Sequence, residues 1–218
     1  MYVIDKFTER EDVMRMLLLL FEEVLGERLG YDLRRDVHVL TPTHKGTLGT
    51  LELNIELQRL LQRKLFGFEV PAVEAGHHPR VYPGDKVIQT KNDYDLGVMN
   101  GSMGIVLETA PDGTLTIDFD GRPVKIEGDS DALGNVQLAY ATSIHKVQGS
   151  EFPCAVVIVH KSHSFMHHRN LLYTAVTRAR DSVVILGDRW GIDNCATKRQ
   201  VDRRNTFLSF LLHREPCP

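Results

Sequence analysis

The sequence is poor in cysteine, has no long apolar run and carries almost no net charge. Its three cysteines, Cys154, Cys195 and Cys217, stand far apart, with no C-x-x-C pair to suggest a zinc site or a redox dithiol, so a reducing, cytoplasmic setting is expected. The apolar run Met16 to Phe21 falls far short of the roughly 20 residues that a membrane span needs. The opening MYVIDKF lacks the charged-then-apolar pattern of a secretion signal. Membrane and secreted readings therefore fall away. A further absence bears on chemistry. No G-x-x-x-x-G-K followed by Ser or Thr occurs, and no Asp-Glu pair follows an apolar strand, so the chain offers neither a phosphate-cradling loop nor the carboxylates that hold magnesium beside one.

What is present is an ordinary globular composition. The 218 residues are 42% hydrophobic and 25% charged, with 26 Lys+Arg against 29 Asp+Glu, enough for one large domain or two small ones. A formal net charge of −3 argues against a protein that coats polyanions all over. Charge is local, however. Lys198, Arg199, Arg203, Arg204 and Arg214 face a single Asp202 in the tail, which leaves one face suited to nucleic acid.

Along the chain the texture changes twice. Thr8-Glu9-Arg10-Glu11 reads as a capping box, and Val13, Leu17, Leu20 and Val24 follow at helical spacing. Val37, Val39 and Leu40 predict a strand ended by Pro42, and Leu48, Leu51, Ile55, Leu61 and Leu65 a second helix. Between Pro83 and Asn135 the turn signals Asn100-Gly101, Pro111-Asp112-Gly113 and Asp120-Gly121 separate short strands, the pattern of a small β-barrel, with Asn100-Gly101 read as a type I′ turn. From Val136 the first texture returns. Strands are expected at 136–141, 155–159 and 182–186, the last two apolar without alternation, as in a parallel sheet covered on both faces. Asn170 to Arg180 reads as a helix with Leu171, Leu172, Ala175, Val176 and Ala179 inward, and Thr206 to Leu212 as another. The architecture expected is one α/β domain, residues 1–82 and 136–218, interrupted by a small β-domain at 83–135.

Two segments concentrate groups able to do chemistry. In Tyr140-Ala141-Thr142-Ser143-Ile144-His145-Lys146-Val147-Gln148-Gly149-Ser150-Glu151-Phe152 a strand passes into a short helix closed by Gly149. Hydroxyls and free N–H groups at such a helix start suit a phosphate, and Lys146 adds a charge one turn in; the plainer reading is a capped helix with a snorkelling lysine. In LLYTAVTRAR, residues 171 to 180, Arg178 stands among small and apolar neighbours, where an unpaired guanidinium is costly unless it meets an acid or a phosphate. His160, His163, His167 and His168 cluster between these segments, but their spacing matches no zinc pattern of fixed geometry.

Taken together, YATSIHKVQGSEFP (140–153) and LLYTAVTRARDSVVILGD (171–188) resemble motifs V and VI of superfamily 1 DNA helicases, in the RecD-like branch typified by the exodeoxyribonuclease V alpha subunit. Val147 departs from a usually small position. GDKVIQTKNDYDLGVMNGSMGIV (84–106) resembles the start of the SH3-type barrel inserted in the second motor domain of that family, and LTPTHKGTLGTLELNIELQ (40–58) its motif IV region. The resemblance implies a RecA-like α/β fold of the P-loop NTPase type with an SH3-like insert, and a 5′ to 3′ DNA motor.

Position by position, it implies that Arg178 reaches the γ-phosphate of ATP as an arginine finger. It makes Lys45 a second cation near that phosphate, against the reading of a solvated turn lysine. Gln148 and Glu151 fall where motif V approaches the nucleotide, Glu151 toward the ribose, against a plain loop carboxylate. Thr142, Ser143, His145 and Lys146 are implied to grip the backbone of single-stranded DNA, with Asn92 and Asn100 as further candidates in the barrel loops. Magnesium is expected only in the complete helicase, with ligands outside this chain. The partners implied are single-stranded DNA, an N-terminal motor domain and, in some contexts, subunits of a nuclease complex. Repair, recombination, conjugation and phage replication all stay open. The rival reading is a stand-alone single-stranded-DNA-binding or interaction module without ATPase activity, and a conjugative relaxase shares the same motifs.

Overall fold

The computed structural model describes residues 1–72 and 79–199. The expected helix at 206–212, most of the basic tail, Cys217 and His77-His78 lie outside the described residues.

Ten strands form two five-stranded sheets. In the first, β1 (Tyr2–Ile4), β2 (Val37–Thr41), β8 (Ala141–Ser143), β9 (Phe152–Val159) and β10 (Ala179–Gly187) pair in parallel in the order β1-β10-β9-β2-β8. The unbroken apolar run of β9 is explained by its two faces. Cys154, Val156 and Ile158 enter one core with α1 (Arg10–Leu19) and α2 (Thr50–Phe66). Ala155, Val157 and Val159 enter a second core with α3 (Arg169–Val176) and α4 (Arg189–Thr197). At about 1.5–3 kcal/mol for each large side chain removed from water, these two cores dominate the stability of the sheet.

The second sheet is antiparallel, in the order β6-β5-β4-β3-β7, from β3 (Lys86–Gln89), β4 (Met103–Thr109), β5 (Leu115–Phe119), β6 (Arg122–Ile126) and β7 (Val136–Leu138). It has its own core around Val87, Ile117 and Phe119. Asp120 and Gly121, at φ 53 and 84, make the two-residue type I′ turn between β5 and β6.

Several expectations are corrected. The stretch 136–141 is two strands, because Val136–Leu138 pairs with β3 while Ala141–Ser143 pairs with β2. The helix of 170–180 stops at Val176, and Ala179 opens β10. No capping box forms at Thr8: α1 is preceded by Glu9 without a side-chain cap, and the Thr8 carbonyl lies 3.0 Å from His160 Nε2 instead. Asn100-Gly101 is not type I′, since Asp120 is the only described non-glycine residue at positive φ; Gly101 alone, at φ 93, turns the chain there. Strand β1 gave no signal in the sequence, being three residues long and largely exposed.

The small sheet is mounted at the amino-terminal end of the parallel one by two consecutive buried charges. Asp85 accepts from Gln58 (2.5 Å), Gln62 (2.7 Å), Tyr140 OH (2.9 Å) and the Tyr82 N–H (2.8 Å). Burial raises its pKa and these donors oppose the rise. Lys86 donates to the Val37 carbonyl at 3.0 Å and lies 5.5 Å from the Phe152 ring centre. Desolvation lowers its pKa to about 7, with Asp32 and Asp36 opposing.

Candidate functional site

The residues singled out by motif fall at two ends of one sheet. Cys154 pairs with Val37 and Val157 with Leu40, so Phe152 lies near the start of β2 and Thr41 at its finish. The five residues of β2 separate those ends by roughly 17 Å at about 3.3 Å each.

At the amino-terminal end stands Arg178, in the turn between α3 and β10. Its guanidinium donates to the Thr174 carbonyl (3.2 Å), the Ser150 carbonyl (3.0 Å) and the Thr177 hydroxyl (3.3 Å). Its own carbonyl accepts from the Phe152 N–H at 2.8 Å. Motifs V and VI are thus stitched together through this one residue. Arg178 is half-buried and forms no ion pair among the described residues, so its charge is fixed in place without being neutralised. Glu151 and Gln148 are exposed nearby in sequence, on either side of Gly149, whose φ of 95 makes the left-handed exit expected of it.

At the carboxyl-terminal end, the loop after β2 carries Lys45, exposed and without an ion pair among the described residues. Thr43 in the same loop meets His163 Nε2 at 3.2 Å, beyond the end of β9. Lys45 therefore does not join Arg178; it shares its end of the sheet with Ser143, which pairs opposite Thr41. The motif IV and motif VI cations are separated because a parallel strand delivers its two ends to opposite edges.

Thr142 is also corrected. Its side chain is buried, with Oγ1 2.8 Å from His38 Nε2, so its hydroxyl is spent inside the protein. Ser143 is half-exposed and caps nothing with its side chain, while His145 and Lys146 are exposed on the single turn Ile144–Val147. Partial desolvation lowers the pKa of Lys146. Asn92 and Asn100 meet in one exposed loop of the small sheet, Asn92 Oδ1 accepting from the Asn100 N–H at 2.8 Å.

The site gains His38, outside every motif, and with it a contact for Phe152 that the motif V segment did not reveal. His38 stacks on Phe152 with ring centres 4.1 Å apart and planes 6° from parallel, and burial depresses its pKa far below the usual histidine value. Through Phe152 and His38, the strand end at Thr142 is in contact with the turn at Arg178. The stack leaves no local signal, since His38 and Phe152 are more than a hundred positions apart in the chain. The histidine cluster holds no metal geometry: no group of three or more metal-ligating side chains occurs among the described residues. Each histidine has its own neighbour instead, His160 at Thr8 and Ser162, His163 at Thr43, His167 at Asn194, and His168 capping α3.

Comparison with known proteins finds two family matches within the chain. Residues 138–186 match the family described as UvrD-like helicase C-terminal domain, and residues 53–119 match the ATP-dependent RecD-like DNA helicase SH3 domain. The first match holds β8, β9, α3 and most of β10, and defines the class: a superfamily 1 helicase C-terminal domain. The second, with the relatives below, narrows it, and the chain belongs to the RecD-like family. It is 44% identical over 174 residues to the ATP-dependent RecD2 DNA helicase of Deinococcus radiodurans, covering 79% of this chain and 23% of that protein. It is 33% identical over 169 residues to the RecBCD enzyme subunit RecD of Mycobacterium tuberculosis, covering 76% and 27%. The conjugal transfer protein TraA of Agrobacterium fabrum is 30% identical over 154 residues, covering 69% and 12%. The chain thus spans about a quarter or less of the length of these relatives. Among solved structures, a Pif1 helicase from Bacteroides in complex with ADP-AlF3 and ssDNA matches 83% of this chain and 49% of its own, at 19% identity and a TM-score of 0.49.

Proposed function

We propose that this chain is the second motor domain, with its inserted β-barrel, of a RecD-like ATP-dependent DNA helicase. The domain runs over 1–82 and 136–218, and the insert over 83–135 extends by pairing to Leu138. The observation that carries the reading is the setting of Arg178: a guanidinium held by two carbonyls and a hydroxyl, half-exposed and unneutralised, at the junction of motifs V and VI. Such a group costs desolvation in the folded chain unless an anion completes it, and a transferring phosphoryl group is the anion that the motif context supplies.

In this reading an N-terminal motor domain brings ATP and magnesium to the Arg178 end, and Gln148 and Glu151 approach the nucleotide from the same loop. Magnesium is held by residues outside this chain. Single-stranded DNA lies across the carboxyl-terminal end, on Ser143, His145, Lys146 and the Lys45 loop, and Asn92 and Asn100 in the exposed loop of the small sheet are further contacts of the same proposal. Closing on ATP then pulls on Arg178, and the Phe152–His38 stack passes the displacement to the DNA end. The chain alone binds single-stranded DNA weakly and hydrolyses nothing. A cytoplasmic location and a place in DNA repair or recombination belong to the same proposal.

The test is single-stranded-DNA-stimulated ATP hydrolysis by the complete gene product beside its Arg178→Ala variant. Loss of turnover by roughly a thousandfold or more is expected. Equal turnover removes Arg178 from the nucleotide, and no stimulated turnover in the wild type leaves the DNA-binding module as the function.

A further inference from the structure

A cleft of about 680 Å³ opens beside α3, between the turn that carries His145 and the histidine-rich loop after β9. The helicase motifs make no use of that loop. Phe165, 72% exposed, stands in its wall together with His145, Gln148, His167, Lys198 and Arg199. A lone exposed phenylalanine on a protein surface needs no explanation. Here the ring shares a concave wall with two cations, and a π-face beside positive charge is the chemistry that receives one nucleotide unit, base and phosphate together.

The ring is presented by a braced loop. The Met166 N–H donates to the His163 carbonyl at 2.8 Å, the Lys198 ammonium to the Ser164 carbonyl at 3.3 Å, and His163 Nε2 lies 3.2 Å from the Thr43 hydroxyl. Ordering the ring on binding therefore costs little, as preorganisation requires. His167, 1% exposed, lines the same cleft, its Nδ1 3.1 Å from Asn194 Nδ2 and its ring also hydrogen-bonded to the His160 backbone, so this ring is part of the fixed wall and the reading groups are Phe165 and the two cations.

We propose that this cleft takes one unstacked base of single-stranded DNA against Phe165, with the adjoining phosphates on Lys198 and Arg199. The proposal rests on the DNA-binding reading above and extends its path: His145 belongs to both, so the strand passes from the Ile144–Val147 turn into the cleft, whose rim at Gln148 and Thr174 borders the Arg178 end. The histidine-rich loop is then a wall for nucleic acid, in place of the metal site its composition suggests.

The experiment is fluorescence anisotropy with this chain and two labelled probes, oligo(dT) and the same backbone carrying abasic sites. Phe165→Ala is expected to weaken oligo(dT) binding on the order of tenfold and to leave the abasic probe unchanged, while Phe165→Trp retains binding. Lys198→Ala with Arg199→Ala is expected to lower the salt slope by about 1.4, two phosphates' worth on single strands. If the wild type binds oligo(dT) and Phe165→Ala binds both probes equally well, the inference is overturned and the DNA-binding function stands. If the wild type binds neither probe at low salt, the function reading fails and this inference with it. Displacement of oligo(dT) by ATP alone, abolished by Phe165→Ala, assigns the cleft to a mononucleotide and also overturns the proposal.

Discussion

The two ends of the parallel sheet are built differently. At the amino-terminal end the small sheet is bolted on through Asp85 and Lys86, and Arg178 is pinned among backbone carbonyls. At the carboxyl-terminal end the loops after β2, β8 and β9 carry Lys45, His145 and Phe165 in the open. The first end fixes a charge and the second offers a surface. The motor reading proposed above asks for that division, because there one ligand must be read in fixed geometry while the other must slide.

The comparison can be broken most severely at Asp85. Asp85→Ala strips the acceptor from two glutamines, a tyrosine and a backbone N–H, and should cost about 3 kcal/mol or more of stability by urea unfolding. A loss below about 1 kcal/mol would show that the small sheet is not fastened there.

Lys86 gives the next largest effect and a pH signature. Its folded pKa of about 7 lies below that of the unfolded chain, so the unfolded state binds more protons above neutrality and stability should rise with pH. Relative to Lys86→Met, the wild type should gain about 2 kcal/mol between pH 7 and pH 9. Parallel stability curves for the two proteins would mean that the lysine reaches solvent.

Thr142 and Ser143 sharpen the contrast between buried and offered hydroxyls. Thr142→Val should leave His38 without its partner and cost about 1–2 kcal/mol in thermal unfolding, with little change in DNA affinity. Ser143→Ala should do the opposite, lowering affinity for single-stranded DNA a few-fold at unchanged melting temperature. The smallest effect is expected from Arg178→Ala in the DNA-binding assay, where affinity should stay within about twofold; a large loss would place Arg178 on the DNA side.

Much of this was legible in the residues. The unbroken apolar run at 155–159 announces a strand covered on both faces, and it lies within β9. The turn signals at 111–113 and 120–121 marked the small sheet, and Gly149 the left-handed exit from its turn. Arg178 stands out in the sequence as a charge among small and apolar neighbours, and the nucleotide role given to it belongs to the proposal. Thr142 was misread because its partner His38 lies 104 residues away and leaves no trace in the neighbouring sequence. Lys45 was grouped with Arg178 by motif, and the register of β2 on β9 puts them apart.

By itself, then, the sequence determined the class of fold and the family, since periodicity, turn residues and motifs are local properties of the chain. Only the tertiary structure decided which groups face the same space. Strand register set the distance between Lys45 and Arg178, and the choice of partner strand split 136–141 between two sheets. The stacking of His38, Phe152 and Lys86 likewise arises from contacts between segments that the chain brings together only when it closes its cores.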